Sequence, residues 1–212
     1  MRIAIDGPAG AGKSTLAKGI AAKLNIDYID TGAMYRAIAL KLIRTGTDYN
    51  DADALAKMLE STDVDFSGGK IYLDGEDVSG LIRTPEISAL ASPSSAVPAI
   101  RYKLTALQQA MGERKSLVMD GRDIGTVVFP DAEYKFFIVA SDDERAKRRY
   151  AELLEKGENV NLETVKADMQ KRDLQDSTRK FRPLKKAEDA IEINNSGNTI
   201  EETLDMVLAY IK

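Results

Sequence analysis

The sequence contains no histidine and no cysteine. Without histidine, the side chain most used for proton transfer near neutral pH is missing, and so is the commonest transition-metal ligand. Serine-triad, cysteine-protease and histidine-zinc mechanisms are thereby excluded. Without cysteine there is neither a disulfide framework nor thiolate chemistry, which suits a reducing cytosol. No run of 18 apolar residues occurs, and Met1 leads straight into the strand-like R-I-A-I-D. Neither a membrane span nor a secretory leader is expected. Internal repeats and low-complexity tracts are absent as well. Any chemistry must rest on Lys, Arg, Asp, Ser, Thr and backbone amides.

What is present describes a soluble globular protein. The chain has 212 residues, 43% hydrophobic and 30% charged, enough for one domain of ordinary size carrying insertions. A net charge of −4 argues against a general nucleic-acid binder. Its distribution is uneven: between Glu144 and Lys186 roughly thirteen basic side chains face eight acidic ones. Taken alone, that excess is accounted for by a solvated pair of surface helices.

The pattern of apolar residues gives the element order. Residues 2–6 read as a short strand, and Leu16, Ile20 and Leu24 recur at helical spacing after it. Residues 26–30 read as a second strand, followed by a helix from Thr31 to about Thr45 that stops at Gly46, with Thr31 at the N-cap position. A short helix is expected over 51–61. The texture then changes to short alternating runs broken by Gly-Gly and Asp-Gly, the mark of a small antiparallel sheet at about 60–80. Thr84-Pro85 and Val97-Pro98 open two helices, the second reaching about Gly112. Residues 116–120 and 135–140 are strand-length apolar runs. Ser141 and Glu144 fit a capping box opening a charged helix to about Lys156. Another charged helix spans roughly 162–174, a last strand 190–195, and Thr199 with Glu202 caps a final helix striped by Leu204, Val207, Leu208 and Ile211. Strands alternating with helices imply right-handed crossovers and a parallel sheet. Residues 60–80 and 141–180 are insertions into that core, suited to clamps and lids.

Gly7-Pro8-Ala9-Gly10-Ala11-Gly12-Lys13-Ser14 matches the G-x-x-x-x-G-K-[ST] phosphate loop, with a strand before it and a helix after it. Its glycines let backbone amides turn inward around phosphate, and the helix N-terminus adds positive potential. Lys13 can reach the β- and γ-phosphates, and the Ser14 hydroxyl can ligate Mg²⁺. A GTPase would need an N-K-x-D guanine reader, and no Asn here is followed by Lys. The strand-end M-D-G-R-D also lacks the water-activating glutamate of a motor ATPase.

Charged side chains cluster elsewhere. Arg36 sits on an otherwise apolar helix, which suggests an anion partner, and Tyr35 lies one turn on from Thr31. Arg172, Asp176 and Arg179 share one face if their helix continues that far, either as an exposed salt-bridged stripe or as a converging site. Arg145, Arg148 and Arg149 make a second basic face. Asp120 ends its strand where a magnesium-shell carboxylate or a structural hydrogen-bond acceptor would stand. Arg122 and Asp123 follow it.

Together G-P-A-G-A-G-K-S-T, Y-I-D-T-G-A-M-Y-R, D-G-E-D-V-S-G-L-I-R-T-P-E-I, D-G-R-D-I-G-T-V-V-F-P and R-D-x-x-D-S-T-R resemble the bacterial cytidylate kinases, from Ile3 to Lys212. That family belongs to the nucleoside monophosphate kinases among the P-loop proteins. The resemblance implies an α/β P-loop nucleoside monophosphate kinase fold: a five-stranded parallel sheet flanked by helices, with a small antiparallel β insertion and a helical lid. It implies a core at 1–30, 113–140 and 187–212, a monophosphate-binding segment at 31–112 and a lid at 141–186. It also implies ATP with Mg²⁺ as donor and CMP or dCMP as acceptor, in pyrimidine nucleotide metabolism. The expected setting is a cytoplasmic monomer without nucleic-acid or membrane partners.

The resemblance distributes roles as follows. Gly7 through Thr15 bind ATP, with Lys13 also catalytic and Ser14 and Asp120 at the metal. Arg145 and Arg149 close over ATP, and Arg148 and Arg149 join the catalytic lid arginines. Thr31, where many relatives carry Ser, touches the cytosine amino group; Tyr35 packs at the monophosphate site, where Arg36 and Arg122 reach the CMP phosphate. Arg101 and Asp123 read the base. Arg172 and Arg179 converge on the transferring phosphates, and Asp176 accepts from the ribose hydroxyls. Another small-molecule kinase of this fold, such as an adenylate or shikimate kinase, is one alternative. A nucleotide-sensing P-loop module without turnover is another.

Overall fold

A computed structural model of the chain describes residues 1–155 and 157–212. The expected helix end at Lys156 lies outside the described residues. The element order follows the apolar pattern. It runs β1 (Arg2–Asp6), α1 (Lys13–Leu24), β2 (Asp27–Asp30), α2 (Thr31–Thr45), α3 (Ala52–Glu60), then β3 (Val64–Ser67), β4 (Lys70–Leu73) and β5 (Glu76–Asp77). After these come α4 (Pro85–Ser94), α5 (Pro98–Arg114), β6 (Leu117–Gly121), a π-helical turn (Ile124–Val128), β7 (Tyr134–Val139), α6 (Asp142–Glu155), α7 (Leu162–Thr178), β8 (Ile191–Asn194) and α8 (Ile200–Leu208).

The larger sheet has the order β2-β6-β1-β7-β8, and the pairs β1–β6, β1–β7 and β7–β8 are parallel. Placing β1 centrally puts the phosphate loop at the carboxyl end of the sheet, beside the point where the chain crosses from one side to the other. The apolar side chains of β1 explain its place: Ile3 and Ile5 pack with Leu16, Ala17 and Ile20 of α1, Phe136 and Ile138 of β7, Ile193 of β8 and Val207 of α8. The smaller sheet, β3-β4-β5, is antiparallel. Its turns fall at Gly68-Gly69 and Asp74-Gly75, all four at positive φ, the conformation that tight hairpins demand.

The chain divides into two compact units, Met1–Tyr28 with Leu117–Lys212, and Ile29–Ser116. The segment expected as a lid, 141–186, belongs to the first. There α6 and α7 pack through Ala146, Leu153, Val165 and Met169.

Three expectations are corrected. The cap of α2 is Asp30, whose Oδ1 accepts from the Ala33 amide at 2.9 Å, so Thr31 is the first helical residue. The S-x-x-E box at α6 is only half formed. Ser141 Oγ accepts from the Glu144 amide at 3.3 Å, but Glu144 Oε1 accepts instead from the Gly197 amide at 2.9 Å. Helix α7 continues past 174 to Thr178, so Arg172 and Asp176 share a helix and Arg179 is its C-cap. Ser177 and Thr178 disguise that last turn in the sequence, because each hydroxyl bonds back to a carbonyl one turn earlier.

The phosphate loop enters through Gly7, at φ 145°, where a Cβ would lie 2.2 Å from the Ile138 carbonyl oxygen. Backbone meets backbone there, and neither can yield cheaply. Gly7→Ala is expected to destabilise the protein by about 2 kcal/mol or more, read from the urea midpoint. An unchanged midpoint would mean that this approach is not fixed.

Candidate active site

In the first unit, the phosphate loop closes over a buried cation. Lys13 is 5% exposed and donates from Nζ to the Pro8 carbonyl at 2.7 Å, capping the loop's own backbone. Burial pushes its amine down to about 7, and the nearby Arg122 and Arg172 push the same way against Asp120 and Asp6. The charges of Arg122 and Arg172 are therefore felt at Lys13, at the start of α1. Gly12 supplies the left-handed residue before that helix, at φ 84°, and no side chain caps it. A loop of inward amides beside concentrated positive charge suits an anion.

Ser14, next on α1, donates its hydroxyl to Asp120 Oδ2 at 2.8 Å. Tyr28 donates to Oδ1 of the same carboxylate, also at 2.8 Å. Asp120 therefore acts as a hydrogen-bond acceptor at the end of β6. The pair it forms with Ser14 also presents hard oxygen donors only. One carboxylate, one hydroxyl and phosphate oxygens are the donor set Mg²⁺ prefers, since that ion keeps waters and takes few protein ligands. The residues fit that metal. Among the described residues no group of three or more His, Cys, Asp or Glu is arranged to hold a metal ion by itself.

Arg122, Asp176 and Arg179 come together, although 54 residues separate the first two. Arg122 Nε donates to Asp176 Oδ2 at 2.8 Å, and Arg179 lies 3.5 Å from Oδ1. Arg179 also donates from Nε to the Arg182 carbonyl at 2.6 Å. Within the R-D-x-x-D-x-x-R stretch, Asp176 and Arg179 are thus joined to Arg122 in an organised, partly to fully buried network, whereas Arg172 is exposed. Asp123 is buried at 5% exposure, at the head of the π-helical turn.

Of the other basic face, Arg145 is buried and occupied: it donates to the Ala9 carbonyl (2.8 Å), Asp173 (2.5 Å) and Asp142 (2.6 Å). Arg148 donates to the side chain and backbone oxygens of Asn195 at 3.2 and 3.1 Å. Arg149 is the most exposed of the three and pairs with Glu152 at 2.8 Å.

In the second unit, taken by itself, the D-T-G-A-M-Y-R stretch is a compact device. Asp30 caps α2 with one oxygen and pairs with Arg36 through the other at 3.1 Å. Gly32 leaves room for that pair, because a Cβ there would lie 3.1 Å from Asp30 and 3.2 Å from Arg36. Arg36 Nε is buried without a hydrogen-bond partner among the described residues, so the guanidinium keeps a donor in reserve. Thr31 is buried one turn before Tyr35, and Arg101 lies over the Tyr35 ring at 5.5 Å while donating to the Ser95 carbonyl at 2.9 Å.

Four residues that sequence reasoning did not single out shape the site. Asp6, at the end of β1, accepts from the Ile124 and Gly125 amides at 2.9 and 2.7 Å and so fixes the turn that follows Asp123. Asp173 accepts from the Ala9 amide at 3.1 Å. Asn195 donates to the Ala11 carbonyl at 2.9 Å. Asp30 is the fourth. Only Asp6 and Asp30 carried a local signal, as carboxylates ending the two strands that precede the phosphate loop and α2.

A parallel sheet with a phosphate loop at its carboxyl end, a buried lysine and converging arginines defines a P-loop phosphotransferase. The family model for cytidylate kinase matches residues 3–212. Curated cytidylate kinases from Clostridioides difficile (strain 630) and Carboxydothermus hydrogenoformans are 50% and 48% identical to the chain, covering 99% and 100% of it and 97% of each relative. The chain belongs to the cytidylate kinase family, and is accordingly a nucleotide-binding kinase. Among solved structures, an uncharacterized protein from Eubacterium ventriosum shares the fold, with a TM-score of 0.58 at 19% identity over 100% of this chain and 97% of that one. Among the described residues no helix is long and apolar enough to cross a membrane.

The buried Asp6 gives a pH signature. Burial pushes its carboxyl up from 3.8 to about 6, against the two amide bonds that favour its charge. Between those values the folded chain holds a proton that the unfolded chain has released. Its contribution to stability is therefore full below the lower value and is lost as pH rises through about 6. Urea unfolding of wild type and Asp6→Asn across this range should give profiles that diverge, by roughly 3 kcal/mol at most. Parallel profiles would contradict a displaced Asp6 titration.

Proposed function

We propose that the protein transfers the γ-phosphoryl group of ATP to CMP or dCMP, giving ADP and CDP or dCDP. The observation that carries this reading is the buried Lys13 of the phosphate loop, pushed down by burial and then by the charges of Arg122 and Arg172, with the Arg122–Asp176–Arg179 network in the same unit. Such a cluster suits a reaction in which charge accumulates on transferring phosphate oxygens.

The acceptor's nucleophile is a phosphate oxygen, already anionic at neutral pH. No general base is needed, so the lack of histidine is no obstacle. Catalysis then consists of alignment and electrostatic stabilisation of an in-line transfer. The phosphate loop, residues 7–15, cradles the donor phosphates through backbone amides other than those of Pro8, which has none, and Ala9, which Asp173 holds, and Lys13 neutralises their charge. Ser14 and Asp120 would hold Mg²⁺, which would supply neutralisation of phosphate charge when bound. Arg172 and Arg179 bind the transferring phosphates, aided by Arg148 and Arg149 from the lid. Arg36 and Arg122 bind the acceptor phosphate, and the reserved Nε donor of Arg36 suits that task. Asp176 accepts from the ribose hydroxyls. Thr31, with Tyr35 packing nearby, contacts the base that Arg101 and Asp123 read. A carboxylate at Asp123 can accept from the N4 amino group of cytosine, whereas O4 of uracil offers it no proton. Closure of the lid over ATP would exclude water and suppress idle hydrolysis. The same reading makes the protein a cytoplasmic monomer.

A coupled assay of ADP release with CMP, dCMP, UMP, AMP and shikimate tests this. CMP or dCMP should be the preferred acceptor. Arg179→Ala should lower kcat by about a hundredfold or more, given that an arginine at transferring phosphate can supply ~10³–10⁵. Asp123→Ala should erode the CMP-over-UMP ratio more than ATP affinity. Preference for AMP or shikimate would favour another kinase of this fold, and tight ATP binding without turnover would favour a sensor.

A further inference from the structure

The backbone of the phosphate loop is gripped from outside the loop. Both backbone polar groups of Ala9, one from each flanking peptide unit, are used: its amide donates to Asp173 Oδ1 at 3.1 Å, and its carbonyl accepts from Arg145 Nη1 at 2.8 Å. Arg145 and Asp173 in turn bond to each other at 2.5 Å, which closes a ring of three contacts around the backbone of one residue. Arg145 stands on α6 and Asp173 on α7, the helices of the basic insertion. Arg145 is also tied to Asp142, so its orientation is set from a second side. At the adjacent Gly10, a Cβ would lie 2.6 Å from the Met169 methyl and 3.1 Å from the Arg145 carbonyl. The helix pair therefore presses on the loop at the residue after the ring.

This arrangement has a direct consequence for chemistry. The loop's amides can serve as an anion receptor only in one backbone shape, and Ala9 lies between the Gly7 turn and the residues that face phosphate. Fixing the two peptide units on either side of the Ala9 Cα fixes the direction of the amides that follow. We propose that Asp173 is a positioning residue for the phosphate loop, acting through Arg145 and the Ala9 backbone and touching no substrate itself. Arg145 belongs to the same clamp, a role different from direct contact with ATP. The proposal rests on the phosphotransferase reading given above.

The geometry makes asparagine a sharp probe at position 173. An amide can turn its oxygen toward the Ala9 amide or toward Arg145, but either choice sets its NH₂ against the other donor. Asp173→Asn should therefore break the ring with little change in volume. The expected result is a fall in kcat/KM for ATP of roughly tenfold to a hundredfold, with KM for CMP within about twofold. Hydrogen exchange of the Ala9 amide, followed by NMR, should quicken by about tenfold or more. Arg145→Lys, which cannot reach both oxygens at once, should give the same pattern. The double variant should be no worse than the poorer single one. Circular dichroism at the assay temperature checks that each variant is folded. If Asp173→Asn is unfolded, Arg145→Lys decides on the same two readouts. A folded variant with wild-type kcat/KM for ATP, or with unchanged Ala9 exchange, overturns the clamp. If the wild-type chain fails to phosphorylate CMP, the functional reading fails, and Ala9 exchange still judges the clamp.

Discussion

Everything at the active end of the first unit depends on keeping a lysine charged where water cannot help it. Burial opposes the proton on Lys13, and the charges of Arg122 and Arg172 add to that effect. Such crowding of like charges would be unstable in an ordinary core. It is tolerable here because the carboxylates Asp6 and Asp120 stand close by and because the loop is shaped to receive an anion. A site of this charge pattern suits a phosphate anion, which would balance the cations. Preorganised positive charge of this kind is worth most where charge develops during reaction, because nothing has to reorganise when the transition state forms.

Holding that geometry needs supports from several directions, and the fold supplies them through carboxylates and amides. Asp6 anchors the turn after Asp123. Asp120 gathers the hydroxyls of Ser14 and Tyr28, joining the ends of α1 and β6. Asn195 secures the loop at Ala11 while accepting from Arg148. The helical insertion is thus tied to the phosphate loop at its base, through Arg145 and Arg148. Arg149, one residue beyond, is the least buried of the three arginines.

The parts of this picture that were legible in the sequence are those written locally. The phosphate loop is a contiguous pattern whose strand and helix flanks identify it, and both hairpin turns of the insertion are announced by their glycines. The β-strands were readable because a buried parallel sheet leaves short, nearly continuous apolar runs. What escaped depends on distant partners. Asp173 meets Ala9 across 164 residues and Asn195 meets Ala11 across 184, so no window of sequence contains either pair. The cap of α2 moved by one residue because Asp30 and Thr31 are both good caps, and only the Arg36 pairing selects the aspartate. Asp120 offered two readings, metal shell or hydrogen-bond acceptor. Its observed partners display the second and remain compatible with the first.

The central claim is that the loop is a receptor with its lysine destabilised in advance and restored by phosphate. The most direct measurement is the titration of the Lys13 amine by side-chain NMR, in the free protein and with a non-hydrolysable ATP analogue. The account predicts a midpoint near 7 in the free protein, where burial, Arg122 and Arg172 act unopposed by phosphate, and a clear upward move when the analogue binds. A free-state midpoint at the ordinary lysine value of 10.5, unmoved by the analogue, would contradict it.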